Sequence, residues 1–281
     1  SSVRLHDLHQ IEQTLQRLKP PAWPEALLGS VDKSLAAKGR ELFRENCASC
    51  HVPHAGESDG RWVQHLKMLA VDFIGTDPEA ANNIADHRFD LTALQWDLAE
   101  LKRMDVHLQP IPTEPLDLSK LSSAKGLAYI TAFVGNRAYR DANIPTAEQP
   151  VMNGFGLPIG VRELRAYKAR PLAGVWATAP FLHNGSIPSL YQLLSPQDER
   201  ATSFYKGTFE YDPRHLGYRT EAFTNGFVFD TQITGNHNSG HEFRAGKRGN
   251  GVIGRLLQPE ERWALLEYLK VLGGPLEAQL P

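Results

Sequence analysis

Apolar residues at helical spacing mark both ends of the chain. Leu8, Ile11, Leu15 and Leu18 recur with that period, separated by His, Glu, Gln and Arg, and predict an amphipathic helix from Val3 to Leu18. Pro20-Pro21-Ala22-Trp23-Pro24 ends it in an extended linker, because proline fixes its own φ and disfavours the helical region for its predecessor. The pattern predicts an N-terminal helical arm and Pro-rich linker over residues 1–30, packing on a main domain rather than capturing a partner. A second stripe, Ala36, Gly39, Leu42 and Phe43, predicts a helix from about Lys33 to Cys50. Gly39 has no side chain and lets another helix approach closely. The last helix is predicted from about Pro259 to Leu272. Pro259 suits a first turn, Glu260 and Glu261 favour the positive helix end, and Leu265, Leu266, Tyr268 and Leu269 supply its apolar face. Gly273-Gly274-Pro275 stops it.

Weaker helical patterns lie between, at about Asp59 to Ala70, Thr92 to Lys102, Ser123 to Tyr139 and, briefly, Ser189 to Leu194. From Pro145 to Leu257 the chain is rich in Gly, Pro and Asn and is expected to be mostly loop. So long a loop region in a compact domain usually has a function, and wrapping a large flat cofactor is one. No internal repeat or low-complexity segment interrupts the pattern. The expected class is mainly α.

Length and composition narrow the picture. The chain has 281 residues, enough for one large domain or two small ones. It is 41% hydrophobic and 22% charged, as in soluble globular proteins. A formal charge of −2 gives no bulk electrostatic case for nucleic acid or an anionic membrane surface. No apolar run is long enough to cross a bilayer. Ser1-Ser2-Val3-Arg4 shows no signal-peptide core, as expected equally of a mature, processed chain and of a trimmed one.

The chemistry is concentrated in Cys47-Ala48-Ser49-Cys50-His51, which holds both cysteines of the chain. Cys-x-x-Cys-His attaches haem c for a mechanical reason. Two thiols reach the two porphyrin vinyl groups, and the next histidine stands beneath the iron as a ligand. With both thiols used as thioethers, none remains for a disulfide. The competing readings are a redox Cys-x-x-Cys and half of a zinc site. A redox motif should open a helix after a strand, whereas this one closes a helix, and no second cysteine pair completes a zinc site. One covalent haem c is the expectation. Its second axial ligand must come from the other ten of eleven histidines or from Met68, Met104 and Met152.

The flanks add a resemblance. Lys38 to Asn46 resembles the first helix of class I cytochromes c, and Glu260 to Lys270 resembles their last. In that family the two helices cross near the position of Gly39. Tyr167-Lys168-Ala169-Arg170-Pro171-Leu172-Ala173-Gly174-Val175-Trp176-Ala177-Thr178-Ala179-Pro180-Phe181-Leu182-His183-Asn184-Gly185-Ser186 resembles a segment of the dihaem cytochrome c peroxidase superfamily, most closely its rubber oxygenase A-like branch. Pro20 to Pro24 and Gly240-His241-Glu242-Phe243 also resemble that branch. The resemblance runs from about Pro20 to Leu272. It implies an elaborated class I cytochrome c fold, with a haem domain over 31–281 and a long loop-rich insertion at about 60–255.

The relatives carry two haem motifs and this sequence has one, so it looks like their C-terminal haem half. In the oxygenase-like branch oxygen chemistry belongs to the N-terminal haem, while the C-terminal one has two protein ligands and carries electrons. The resemblance therefore implies electron transfer through a bis-His haem. The rival is a peroxidase or oxygenase with an open or displaceable distal site, suggested by Phe181-Leu182-His183-Asn184. A third class is a redox module of a larger chain.

In small cytochromes c the distal ligand comes from the loop before the last helix, which here holds His237 and His241 and no methionine. His241 is the first candidate, His183 the second, His237 the third and Met152 the last. Met68 and Met104 are expected to be core residues on helices. Arg170 is the first candidate for a haem propionate, since its guanidinium is a good fork for a carboxylate. Trp176 either meets the porphyrin or is a core aromatic. Phe43 and Phe181 are expected to line the ring. Asn225 to Asp230 offers a weak calcium site, as in some peroxidase relatives. Gly246-Lys247-Arg248-Gly249 is a basic turn, either solvated or guiding a redox partner protein to the haem edge. Bacterial haem c attachment takes place outside the cytoplasm, so the resemblance implies a periplasmic or extracellular protein.

Overall fold

The structure is a computed structural model that describes residues 3–52, 54–58, 61–94, 108–109, 117–152, 154, 159–160 and 164–281. The chain divides into two compact units. One comprises Ser1–Lys19 and Ala81–Leu164, the other Pro20–Ala80 and Arg165–Pro281.

The second unit is built on two helices, Lys33–Asn46 and Pro259–Val271. Asp32 caps the first, its carboxylate accepting the Leu35 amide at 2.9 Å. Pro259 occupies the first turn of the second, where a missing N–H costs nothing, and the Glu261 carboxylate accepts the Gln258 amide at 2.9 Å. The helices cross at Gly39, as its lack of a side chain predicts. A Cβ there would lie 1.9 Å from the Ala264 carbonyl oxygen and 2.8 Å from the Tyr268 Cβ. Around the crossing, Phe43, Leu265, Leu266 and Leu269 join Trp23, Trp176, Phe181, Ile187 and Leu190 in one core. Each such side chain contributes about 1.5–3 kcal/mol by leaving water.

The first unit holds the Leu5–Leu15 helix, shorter than the sequence predicts, and a long helix, Ser123–Asp141, capped by the Ser122 hydroxyl. Arg88–Phe89 pairs with Leu121–Ser122, and Leu91, Leu121 and Tyr129 form a small core of their own.

The fold class is mixed α/β, which overturns the expectation of a mainly α, class I cytochrome c fold. The described residues include seven two-stranded sheets. The helix expected at Asp59 to Ala70 is absent. His54–Ser58 and Arg61–His65 form a hairpin, and Lys67–Ala70 pairs antiparallel with Ala166–Ala169. That partner lies about 100 residues away in the chain, so no local periodicity reports the pairing. The expected helix at Thr92 to Lys102 is a 3-10 turn over Thr92–Leu94, and its remainder lies outside the described residues. The Pro145 to Leu257 stretch carries several of the short strands, including Ser203–Lys206 against Phe227–Asp230 and Glu242–Phe243 against Val252–Gly254. Strands of two to four residues satisfy backbone groups without leaving an alternation to read. Among the described residues no helix is long and apolar enough to cross a membrane.

Candidate functional site

The Cys-x-x-Cys-His motif closes the Lys33–Asn46 helix, as expected. Cys47 follows its last turn, and Ala48–His51 forms one further turn in which the Cys50 and His51 amides both donate to the Cys47 carbonyl. Cys47 packs against the main core, while Cys50 packs against Leu69, Ile74 and Ala169. Ile253 touches both clusters. Burial, with Cys50 beside it, pushes the Cys47 thiol up to about 12. A thiol held protonated at neutral pH is a poor nucleophile, so the turn does not favour thioredoxin-like exchange. A neutral thioether suits the same surroundings.

His51 is oriented by a bond from its Nδ1 to the Arg170 carbonyl, 2.7 Å away. A carbonyl only accepts, so Nδ1 carries the proton and Nε2 keeps its lone pair for a metal. Burial lowers the His51 pKa, which favours the neutral, ligating form.

A second imidazole faces this one. The His51 and His241 ring centroids lie 6.2 Å apart with planes inclined at 62°. His241 is part-exposed, but its Nδ1 is sealed off without a hydrogen-bond partner. Burial, then repulsion from His51 and Arg200, pushes its pKa down to about 3, so the ring is neutral. Two imidazoles sharing one metal, each nitrogen about 2 Å from it and about 1.2 Å from its ring centre, would stand roughly 6.4 Å apart. The observed separation fits an iron between them.

The backbone at His241 has φ 49°, a region uncommon for a non-glycine residue. Strain of this kind persists only where the surroundings enforce it, and here they do. The His241 amide donates to the Ile74 carbonyl at 2.9 Å. Gly240 lies so close to the Ile74–Thr76 turn that a Cβ would come within 2.4 Å of its backbone. Arg200 is buried and donates to the carbonyls of Ser195, Asn238, Gly240 and His241. Asp77, also buried, accepts the amides of Gly235 and His237 at 3.0 Å. The Asn184 amide group donates to the carbonyls of Gly235 and His237.

Arg200, Asp77 and Asn184 escaped the sequence reading. Arg200 stands in the charged run Gln197-Asp198-Glu199-Arg200, which reads as solvated surface. Asp77 precedes a proline and signals a turn. Asn184 lies inside the resemblance, beside a histidine that drew attention instead.

The other candidates take the following positions. His183 is exposed and stacks on Tyr167, with centroids 3.9 Å apart, and Tyr167 donates its hydroxyl to the Asp77 carbonyl. His237 turns its Nδ1 to Asp77 at 3.1 Å. Met68 lies on a strand opposite Lys168 rather than on the expected helix, Met152 belongs to the other unit, and Met104 lies outside the described residues. The Arg170 side chain is exposed, and its carbonyl is what meets His51. Trp176 is buried edge-on against Trp23, with its indole N–H donated to the Pro21 carbonyl at 3.3 Å. Phe43 packs on Tyr268, and Phe181 bridges to Ile187. The Asp230 carboxylate, in the segment considered for calcium, accepts the Gln232 amide. Among the described residues no group of three or more His, Cys, Asp or Glu side chains is placed to hold a metal ion.

Residues 166–205 match the family model described as RoxA-like, cytochrome c-like. That interval holds the Tyr167 to Ser186 segment, the Arg170 carbonyl that orients His51, and the Arg200 and Asn184 side chains that hold the His241 loop. The cytochrome c-like region implies haem c binding and a redox-related function. Two uncharacterized proteins of Sinorhizobium fredii are similar over nearly the whole chain. The protein y4iJ is 37% identical across 97% of this chain and 46% of its own length. The protein y4iM is 29% identical across 96% of this chain and 55% of its own length. The chain thus spans about half the length of the curated relatives it matches.

The donor set fits haem c. Cys47 and Cys50 would hold the group through thioethers, and His51 and His241 would offer imidazole nitrogens to its iron. Haem supplies a reversible one-electron couple when bound. The Arg170 carbonyl fixes the tautomer of His51. Arg200, Asp77 and Asn184 fix the loop that presents His241.

Proposed function

We propose that the protein transfers electrons through a single covalent haem c, six-coordinate with His51 and His241. What supports this reading is the pair of neutral imidazoles at a spacing that suits one shared iron. An iron with both axial positions filled does not readily bind oxygen or peroxide. Two imidazoles also stabilise ferrous iron less than a Met/His pair, so the potential is expected below that of a Met-ligated cytochrome c. We place the chain as the C-terminal haem half of a RoxA-like protein, exported to the periplasm or beyond, with an electron donor or acceptor protein as its partner.

The test is spectroscopic. Protein made beside a haem-attachment system should keep its pigment through acid-acetone extraction and give a low-spin ferric spectrum. His241→Ala should turn high-spin, while His183→Ala should stay low-spin. A low-spin His241→Ala variant, or the near-infrared band that accompanies methionine ligation, overturns the assignment.

A second reading is an enzyme of the peroxidase or oxygenase kind, favoured by the match to a RoxA-like model over residues 166–205. A high-spin ferric spectrum in the unaltered protein, with turnover of peroxide and a reductant, would establish it.

A further inference from the structure

We propose that the cleft between residues 204–209 and 218–220 binds a small aromatic carboxylate, a flat ring bearing one anionic group. The proposed function uses no residue of this cleft, so the two stand or fall separately. The backbone builds it. The Tyr205 amide donates to the Thr220 carbonyl at 3.0 Å and the Arg219 amide to the Glu210 carbonyl at 2.9 Å, which holds the two segments together. Gly217 fixes Pro188 against them, since a Cβ there would lie 2.2 Å from the Pro188 carbonyl oxygen. The space enclosed is about 210 Å³. An apolar cavity of about 150 Å³ holds benzene, so this one takes a single ring with a short substituent. Its walls are Phe204, Tyr205, Phe209 and Tyr218 with Pro180 and Pro188. Aromatic pairs gain beyond the area they bury, which favours a flat ring over an aliphatic chain. Phe209 is 92% exposed, so a ligand in the cleft covers apolar surface that otherwise faces water.

Lys206, which also lines the cleft, sets the polar end of the ligand. Its Nζ donates to the Gly185 carbonyl at 3.0 Å and stands 3.9 Å from the centre of the Phe229 ring. An ammonium has three donors, and among the described residues this one forms no ion pair. Burial lowers its pKa, because the charge has lost water and gained only a carbonyl and ring faces. A half-buried cation so placed is completed by an anion. The other charges of the cleft nearly cancel. Arg219 is paired with Glu210 at 3.2 Å, and both are well exposed, so the pair adds little in either sign. Glu221, next along the chain, turns its carboxylate back onto the Thr220 amide at 3.1 Å. The charge left uncompensated is the single positive one of Lys206. It matches one carboxylate, repels an aromatic cation, and would leave half of a phosphate dianion unmatched.

The experiment titrates the intact protein calorimetrically with four probes. Phenylacetate is the aromatic acid, phenylacetamide its neutral isostere, acetate the anion without a ring, and phenethylammonium the aromatic cation. Phenylacetate should bind about tenfold more tightly than each of the others. Lys206→Met keeps an apolar stem of similar length. It should cost about tenfold in affinity for phenylacetate and leave that for phenylacetamide unchanged. Phe209→Ala removes an exposed ring that the fold does not need, and should weaken the acid and the amide alike, by about fivefold. Arg219→Gln should change phenylacetate affinity by less than about threefold. Should Lys206→Met fail to fold, the probe series and Phe209→Ala decide the matter. Equal affinity for acid and amide, no saturable binding of phenylacetate by the parent, or binding indifferent to Phe209→Ala overturns the site. A larger loss from Arg219→Gln than from Lys206→Met overturns the assignment of the anion to Lys206. The haem reading is reported separately, by the spectrum.

Discussion

His51 and His241 are held in opposite ways. His51 rides on a local motif, one turn beyond a helix, and a single long-range bond to the Arg170 carbonyl orients it. His241 ends an irregular loop with a strained backbone, and residues from three distant segments hold it: Ile74 to Asp77, Asn184 and Arg200. One side of the site is carried by neighbours in sequence, the other by tertiary structure. A local element keeps its shape if the fold loosens; a loop held by buried polar bonds loses its shape with the first of them. The His51 side should therefore survive perturbations that release the His241 side.

Removing Arg200 should separate them most. Arg200→Met leaves four carbonyls, those of Ser195, Asn238, Gly240 and His241, without their shared donor. Buried groups stripped of a charged partner cost about 3–5 kcal/mol. Chemical denaturation should show a loss of about that size. The ferric spectrum should turn high-spin while mass spectrometry still finds haem bound through both cysteines. Loss of covalent haem as well would erase the distinction between the two sides.

Gly240→Ala is the next largest. Its φ is +71°, and an added Cβ would meet the Gly75 carbonyl carbon at 2.3 Å and the Ile74 oxygen at 2.4 Å. Those atoms are backbone and cannot swing aside, so a destabilisation of about 2–3 kcal/mol is expected from overpacking and the left-handed conformation. The equilibrium midpoint in urea measures it. Partial loss of the low-spin signal before global unfolding would sharpen the comparison, since it would show the loop yielding first.

The same contrast explains what the sequence made legible. The Lys33–Asn46 and Pro259–Val271 helices, their contact at Gly39 and the Cys-x-x-Cys-His turn all declare themselves through local signals: a period, a cap, a missing side chain, a five-residue motif. His241 was reachable through resemblance and its place before the last helix. Its supports were not. Arg200 reads as one more charge in a polar run, and only the fold turns it inward onto four carbonyls. The strand Lys67–Ala70 fails for a related reason, because its partner, Ala166–Ala169, lies far along the chain.

Acid should act on the His241 side as well, through Glu199, which neighbours Arg200. Its carboxylate accepts bonds from the buried Arg262 guanidinium, which hold its pKa below the usual carboxylate range. A carboxylate with a depressed folded pKa stabilises the protein above its unfolded pKa of about 4.3, and that stability is lost as pH falls through the lower folded value. Glu199 is half exposed, so solvent screening keeps the effect under about 1 kcal/mol. The melting temperature of the parent should exceed that of Glu199→Gln at pH 7, and the gap should close near pH 3. A gap independent of pH would mean that the ion pair contributes nothing.

The smallest effect belongs to the His51 side and tests whether its one long-range support is backbone or side chain. Arg170→Ala removes an exposed guanidinium and leaves the carbonyl that accepts the His51 Nδ1–H. Stability should change by less than about 0.5 kcal/mol, as for surface substitutions generally, and the low-spin spectrum should be unchanged. Had the guanidinium been anchoring a haem propionate, its loss would free a charge-assisted bond and shift the reduction potential. An unshifted potential would confine the part Arg170 plays to the carbonyl that orients His51.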